Sequence, residues 1–184
     1  MEMFGDIQKN TKKWEMNTLN EIADIRSGGT PSRQNEEYFK GNIPWITTVA
    51  LGKININEKD AVEFITEEAI KNSSTKLIPA YSLLFGVRVG VGKISVNTVP
   101  MCTNQDIVAI MNIDDNRYNQ IFLKNVIDVY FEYFNNQKRG ATIQGIKSEV
   151  LKNINIPVVD ISLQNQFATF VQQVDKSKFS CIMK

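Results

Sequence analysis

The chain has no histidine. That removes Ser-His-Asp triads, histidine general bases and histidine metal sites together. Cysteine is almost as scarce. Cys102 and Cys181 stand far apart, in no metal-ligand spacing, and read as reduced thiols of a cytosolic protein. No apolar run approaches the roughly 20 residues that cross a bilayer. Met1–Asp6 has neither the basic start nor the apolar stretch of a secretory leader. The expectation is a cytoplasmic protein with no membrane partner. No Asp or Glu begins the D/E-x-K triplet of a metal-dependent nuclease, and no Walker loop is present. No metal or cofactor of its own is expected.

Acidic residues are missing from Ala69 to Gln105, where Lys71, Lys76, Arg88 and Lys93 all fall. A second basic group comprises Lys138, Arg139, Lys147 and Lys152, with Glu149 among them. The net charge is only +1, so a polyanion would have to be met by charge gathered on one face. Each of these cations taken singly is as compatible with a solvated surface as with a ligand.

What is present is an ordinary globular composition, 42% hydrophobic and 22% charged over 184 residues. The pattern is α+β, with a mixed or antiparallel sheet and flanking helices. Residues 1–13 read as a polar tail or junction, 14–160 as one domain, and 161–184 as a helix different in kind. Thr18 and Glu21 form a capping box for a short helix that ends near Ser27-Gly28. Pro44 to Val49 reads as a strand. Ser82–Val89 and Gly92–Val96 read as a hairpin, and Asp106–Met111 as a further strand. A helix opens at Asp114-Asp115-Asn116, carries an apolar stripe from Tyr118 to Phe134, and stops at Asn135-Asn136. Ile146–Leu151 forms a short helix and Ile154–Val158 a strand. In the last element, capped by Ser162, Leu163, Phe167, Phe170 and Val174 recur at coiled-coil spacing. The same residues would equally pack a terminal helix on its own domain.

Arg26 to Thr48 is a long polar segment between two apolar runs. Gly28-Gly29 permits positive φ, and Pro31 stiffens the turn that follows. Tyr38, Phe39 and Trp45 anchor it. The segment offers the hydroxyls of Thr30 and Ser32 and the cations Arg33 and Lys40. These suit reading a polar, anionic ligand better than cleaving a bond, although a plain surface loop would look similar. Two motifs suggest chemistry. Asn42-Ile43-Pro44-Trp45 differs by one residue from the N-P-P-[YFW] motif of amino methyltransferases. Gly86-Val87-Arg88-Val89-Gly90-Val91-Gly92 is glycine-rich, but a strand-like segment follows where a nucleotide-binding turn would open a helix.

The order of motifs resembles the target recognition domain of the DNA specificity subunit of type I restriction-modification systems. The resemblance rests on Trp14, Leu19 and Ile22; Gly28-Gly29-Thr30-Pro31-Ser32; Gly41 with Ile43-Pro44-Trp45-Ile46; and the hairpin followed by Thr103-Asn104-Gln105. It continues through Gly140, Thr142 and Ile146, then Ile156-Pro157 with Leu163, Gln166 and Phe167. Met3-Phe4-Gly5-Asp6 is similar to the junction after the family's central helix. The resemblance implies a non-catalytic reader of double-stranded DNA, holding half of a bipartite target. A partner methyltransferase subunit would carry S-adenosylmethionine, and a restriction subunit would join the complex. The helix from about Ser162 would be the start of a shortened spacer, giving pairing with another half subunit or a weak homodimer through Leu163, Phe167, Phe170 and Val174. The candidate DNA contacts are Thr30, Ser32, Arg33, Lys40, Arg88, Lys93, Asn104, Gln105, Lys138, Arg139, Thr142, Gln144 and Lys147. The competing readings are a compact adenine methyltransferase using Asn42, and an interaction module that does not bind DNA.

Overall fold

The computed structural model describes residues 2–139 and 145–182. In chain order the strands are β1 (Met16–Thr18), β2 (Asp24–Ser27), β3 (Ile43–Ile46), β4 (Asn55–Ile56), β5 (Glu63–Ile65), β6 (Leu83–Gly86), β7 (Ile94–Asn97), β8 (Cys102–Thr103), β9 (Ile107–Met111) and β10 (Asn155–Pro157). The α-helices are α1 (Leu19–Ile22), α2 (Glu67–Lys71), α3 (Gln120–Val129), α4 (Phe131–Arg139), α5 (Ser148–Lys152) and α6 (Ile161–Ile182). The expected α+β class, with mixed and antiparallel sheets, is what forms.

A five-stranded sheet in the order β2-β9-β6-β7-β4 is the spine. Its pairings are antiparallel except β4 with β7, which is parallel. Both faces are buried, and the alternation of side chains decides which core each residue joins. Leu83, Phe85, Ile94, Val96, Val108 and Ile110 meet α3 and α6 in the principal core. Leu84, Ile107, Ala109 and Met111 face Ile46, Ile56 and Met101 on the other side. There a three-stranded sheet, β5-β3-β8, covers the spine. Its outer face builds a third cluster of Trp45, Ile65, Ala69 and Cys102, under Tyr38 and Phe39. Burial on both faces explains why β9 reads as a continuous apolar run, Ile-Val-Ala-Ile-Met, with no polar alternation.

Several boundaries differ from the sequence reading. The helix capped by Thr18 has four residues, and Asp24–Ser27 leaves it to pair with β9. A helix continuing to Ser27 would strip the edge of the spine of its partner. The helix expected at Asp114 starts instead at the Asn119 cap, whose side chain accepts from the amides of Ile121 and Phe122. Asp114 only closes a turn, accepting from the amides of Arg117 and Tyr118. The helix breaks at Tyr130, and α4 runs past Asn135-Asn136 to Arg139. Asp160, not Ser162, caps α6: its carboxylate accepts the Ser162 amide at 2.8 Å. The 1–13 segment is not a free tail, because Phe4 and Ile7 are buried in the principal core, and Phe4 packs edge-on against Phe122 and Phe167. The seam residues of α6 divide. Leu163 and Phe167 serve the domain's own core, whereas Phe170 is 62% exposed and Val174 37%.

Candidate nucleic-acid interface

Strand direction sets the site. β2 ends at Ser27, β6 ends at Gly86, β7 begins at Ile94 and β9 begins at Ile107. In the antiparallel registers these four termini lie at one end of the spine. The segments 28–35, 87–93 and 104–106 therefore emerge side by side, although sequence separates them widely. A fourth joins them: the Ile146 amide donates to the Val87 carbonyl at 2.9 Å, which brings the segment from Gly145 to Lys147 to the same end.

Each segment is held by its backbone. Gly28 donates to the Ile107 carbonyl at 3.0 Å and Gly29 to the Thr103 carbonyl at 2.9 Å. Neither glycine is among those with positive φ. Proximity requires them instead: a Cβ on Gly28 would lie 2.1 Å from Thr103 Oγ1 and 2.3 Å from the Asn104 carbonyl. One on Gly29 would lie 2.5 Å from the Thr75 amide nitrogen. The Trp45 indole N–H donates to the Gly29 carbonyl at 3.1 Å and clamps the turn from below. Positive φ is used in the 87–93 turn, at Gly90 (62°) and Gly92 (86°).

On this frame the Thr30 hydroxyl donates to Gln105 Oε1, joining two candidate residues 75 positions apart. Asn104 makes a side-chain turn, its Oδ1 accepting the Asp106 amide at 3.2 Å. The Asp106 carbonyl accepts the Val87 amide at 2.9 Å, tying the 104–106 turn to the hairpin. Arg88 forms an ion pair with Asp106 at 3.7 Å and keeps 55% of its side-chain surface open. Ser32, Lys93, Gln105 and Lys147 are exposed.

Thr30, Ser32, Arg88, Lys93, Asn104, Gln105 and Lys147 thus share one end of the sheet. Arg33 and Lys40 are engaged elsewhere. Arg33 makes a two-pronged ion pair with Glu63 on β5, at 2.5 and 2.7 Å, and its guanidinium lies 4.2 Å over Phe39 and 5.2 Å over Trp45. Those hydrogen bonds hold the Glu63 carboxyl below its ordinary value and raise Arg33. Lys40 pairs with Glu37 across a turn. α4 contains Lys138 and Arg139, but their side chains, like Thr142 and Gln144 altogether, lie outside the described residues. Sequence reading passed over Asp106, which ends the acid-free stretch beside Asn104, and Ser74-Thr75, which wall Gly29.

The methyltransferase-like motif has no open aromatic face. Trp45 is 3% exposed and its ring is built into the third core, as β3 places it. The glycine-rich 86–92 segment connects two strands, with no helix after it. Among the described residues no cluster of three or more metal-ligating side chains occurs, and no helix is long and apolar enough to cross a membrane.

Residues 11–182 match the family described as "Type I restriction modification DNA specificity domain". The chain is 29% identical over 175 residues to the type I restriction enzyme MjaIX specificity subunit of Methanocaldococcus jannaschii, covering 92% of this chain and 40% of that protein. It is 31% identical over 171 residues to the EcoR124I/EcoR124II specificity subunit of Escherichia coli, covering 88% and 41%. Its fold is similar to the crystal structure of the HsdS subunit from Thermoanaerobacter tengcongensis, with a TM-score of 0.65 at 17% identity, over 89% of this chain and 37% of that one. The chain spans about two fifths of the length of the curated relatives it matches.

Proposed function

The chain belongs to the type I restriction modification DNA specificity domain family, and from that premise we propose that it reads one part of a double-stranded DNA target through the loop end of its five-stranded sheet. The convergence of four distant segments at that end carries the reading. Lys93 and Lys147 supply cations for phosphate contact; Arg88, Thr30, Ser32, Asn104 and Gln105 supply donors and acceptors for base edges. Arg33, paired with Glu63, and Lys40, paired at the surface with Glu37, stand outside the proposed contact set. Adenine methylation from S-adenosylmethionine would be the work of a partner methyltransferase subunit, with a restriction subunit completing the assembly. The chain spans about two fifths of the length of these relatives, and a second recognition unit would complete the reader of a bipartite target. The exposed Phe170 and Val174 on α6 support pairing of this helix with another half subunit or a second copy.

Affinity for duplex DNA should fall steeply with salt, with log K declining by about 0.9 per phosphate neutralised for each unit of log salt. A flat salt dependence would count against the reading. Co-expression with an adenine methyltransferase subunit, followed by sequencing of methylated sites, tests the assembly; methylation at one recurrent half-sequence is expected, and none at all would exclude it.

A further inference from the structure

We propose that Asp106 is a positioning residue for base reading: its carboxylate links Arg88 to Asn104 and presents them as one unit, Arg88 selecting guanine. The inference rests on the DNA reading above and concerns how that site acquires selectivity.

Two side chains meet at this carboxylate, and a main-chain bond joins the segments that carry them. The Val87 amide bonds to the Asp106 carbonyl, so the residue before Arg88 is fixed to the turn that carries Asn104. The carboxylate then lies 3.7 Å from Arg88 and accepts from Asn104 Nδ2 at 3.4 Å, while the Asp106 amide occupies Asn104 Oδ1. Gln105, between the two, is turned aside to Thr30. Asn104 and Arg88 thus face one carboxylate, and the Val87 tether places their backbone segments side by side before any ligand arrives.

The chemistry favours a reading role over a bracing one. An acid at a surface that meets phosphates weakens binding to every sequence, so its presence there serves something other than affinity. A carboxylate 3.7 Å from a guanidinium draws the planar fork towards it without closing a hydrogen bond, and guanine is read by that fork bidentately through O6 and N7. Both contacts are longer than the roughly 2.8 Å of a closed charge-assisted bond, so the unit is assembled yet open. Arg88 meets its carboxylate through a single long contact and keeps 55% of its side-chain surface open.

The test uses the full chain with Asp106→Asn, Asp106→Ala, Arg88→Ala, the Arg88→Ala/Asp106→Asn double variant and Lys147→Ala. Base preference is read by selection from a randomised duplex pool and sequencing. Affinity is read on one fixed random-sequence duplex at two salt concentrations. Both Asp106 variants should lose about tenfold in discrimination at the position that Arg88→Ala also relaxes, yet bind the random duplex at least as tightly as the parent. The double variant should discriminate no worse than Arg88→Ala. Lys147→Ala should weaken all sequences alike. Asp106→Asn keeps the shape of the side chain, so it decides the matter if Asp106→Ala unfolds. Unchanged preference in Asp106→Asn, or additive losses in the double variant, would overturn the proposal while leaving the DNA reading in place. A parent chain that binds duplex with no preference, or not at all, would overturn both.

Discussion

Arg33 and Arg88 are both paired with a carboxylate, and the two pairs are opposites. Arg33 meets Glu63 through two short hydrogen bonds and is sandwiched over Phe39 and Trp45. Arg88 meets Asp106 at 3.7 Å, over no ring, at the tip of a hairpin whose next residue, Val89, is 62% exposed. The first pair closes the shoulder formed by β3 and β5. The second stands open where four loops converge. A guanidinium whose one edge is closed by a bidentate carboxylate and whose face lies on a ring has less freedom to turn to a ligand; one held by a single long contact keeps its fork free to turn. The difference separates an arginine bound into the fold from the one proposed to read DNA, although sequence presents both simply as cations in polar loops.

The comparison can be broken most severely through the platform beneath Arg33. Trp45→Ala should cost about 3–5 kcal/mol, since it empties a buried site and frees the Gly29 carbonyl. Chemical denaturation reads the loss. Cys102 shares this core, and burial pushes its thiol up to about 11. Alkylation of Cys102 near pH 8 should be very slow in the parent and much faster in Trp45→Ala. Gly28→Ala should cost about 1–3 kcal/mol, because its methyl meets Thr103 and the Asn104 carbonyl. It should also disturb DNA binding by displacing Thr30 from Gln105, which a mobility-shift titration would detect.

The two arginines separate at smaller effects. Arg33→Ala should lower stability by about 1 kcal/mol, the sum of a partly exposed ion pair and a cation–π contact, and leave base preference intact. Arg88→Ala should change stability by less than about 0.5 kcal/mol and relax base preference. The mildest effect is on acid stability. Glu63 titrates below its ordinary value of 4.5 in the folded chain, chiefly because Arg33 hydrogen-bonds its charged form. Its contribution is therefore present above about pH 4.5, the unfolded value, and disappears as pH falls through the lower folded value. Arg33→Ala should shallow the acid limb of a stability–pH curve in that window, while Arg88→Ala should not.

Much of this arrangement was legible beforehand. The β6–β7 hairpin, β9 and the aromatic anchoring of the long loop follow from local pattern, which also points to Thr30, Arg88 and Gln105 but not to the meeting of their loops. What local pattern missed has physical causes. Asp114 and Asn119 are both good caps five residues apart, and only the buried packing of Tyr118 outside the helix chooses between them. The capping box at Thr18 is genuine, but edge pairing with β9 overrides helix propagation after Ile22. Gly28 and Gly29 look like positive-φ residues, whereas the constraint is a neighbour distant in sequence, Thr103 for Gly28 and Ser74-Thr75 for Gly29. Phe4 and Ile7 appear isolated among polar residues until α3 and α6 supply a surface for them. Asp106 was invisible as a functional residue because its meaning lies in the Val87 tether, a long-range hydrogen bond.

The most direct test of the loop-end reading is amide hydrogen exchange on the full chain with and without a saturating pool of random-sequence duplex at low salt. The account predicts slowed exchange in 28–32, 87–93, 104–106 and 145–147, with no change around Glu63 and Lys40. Protection centred on the shoulder of Arg33, Glu63 and Lys40, with the loop end unaffected, would contradict it.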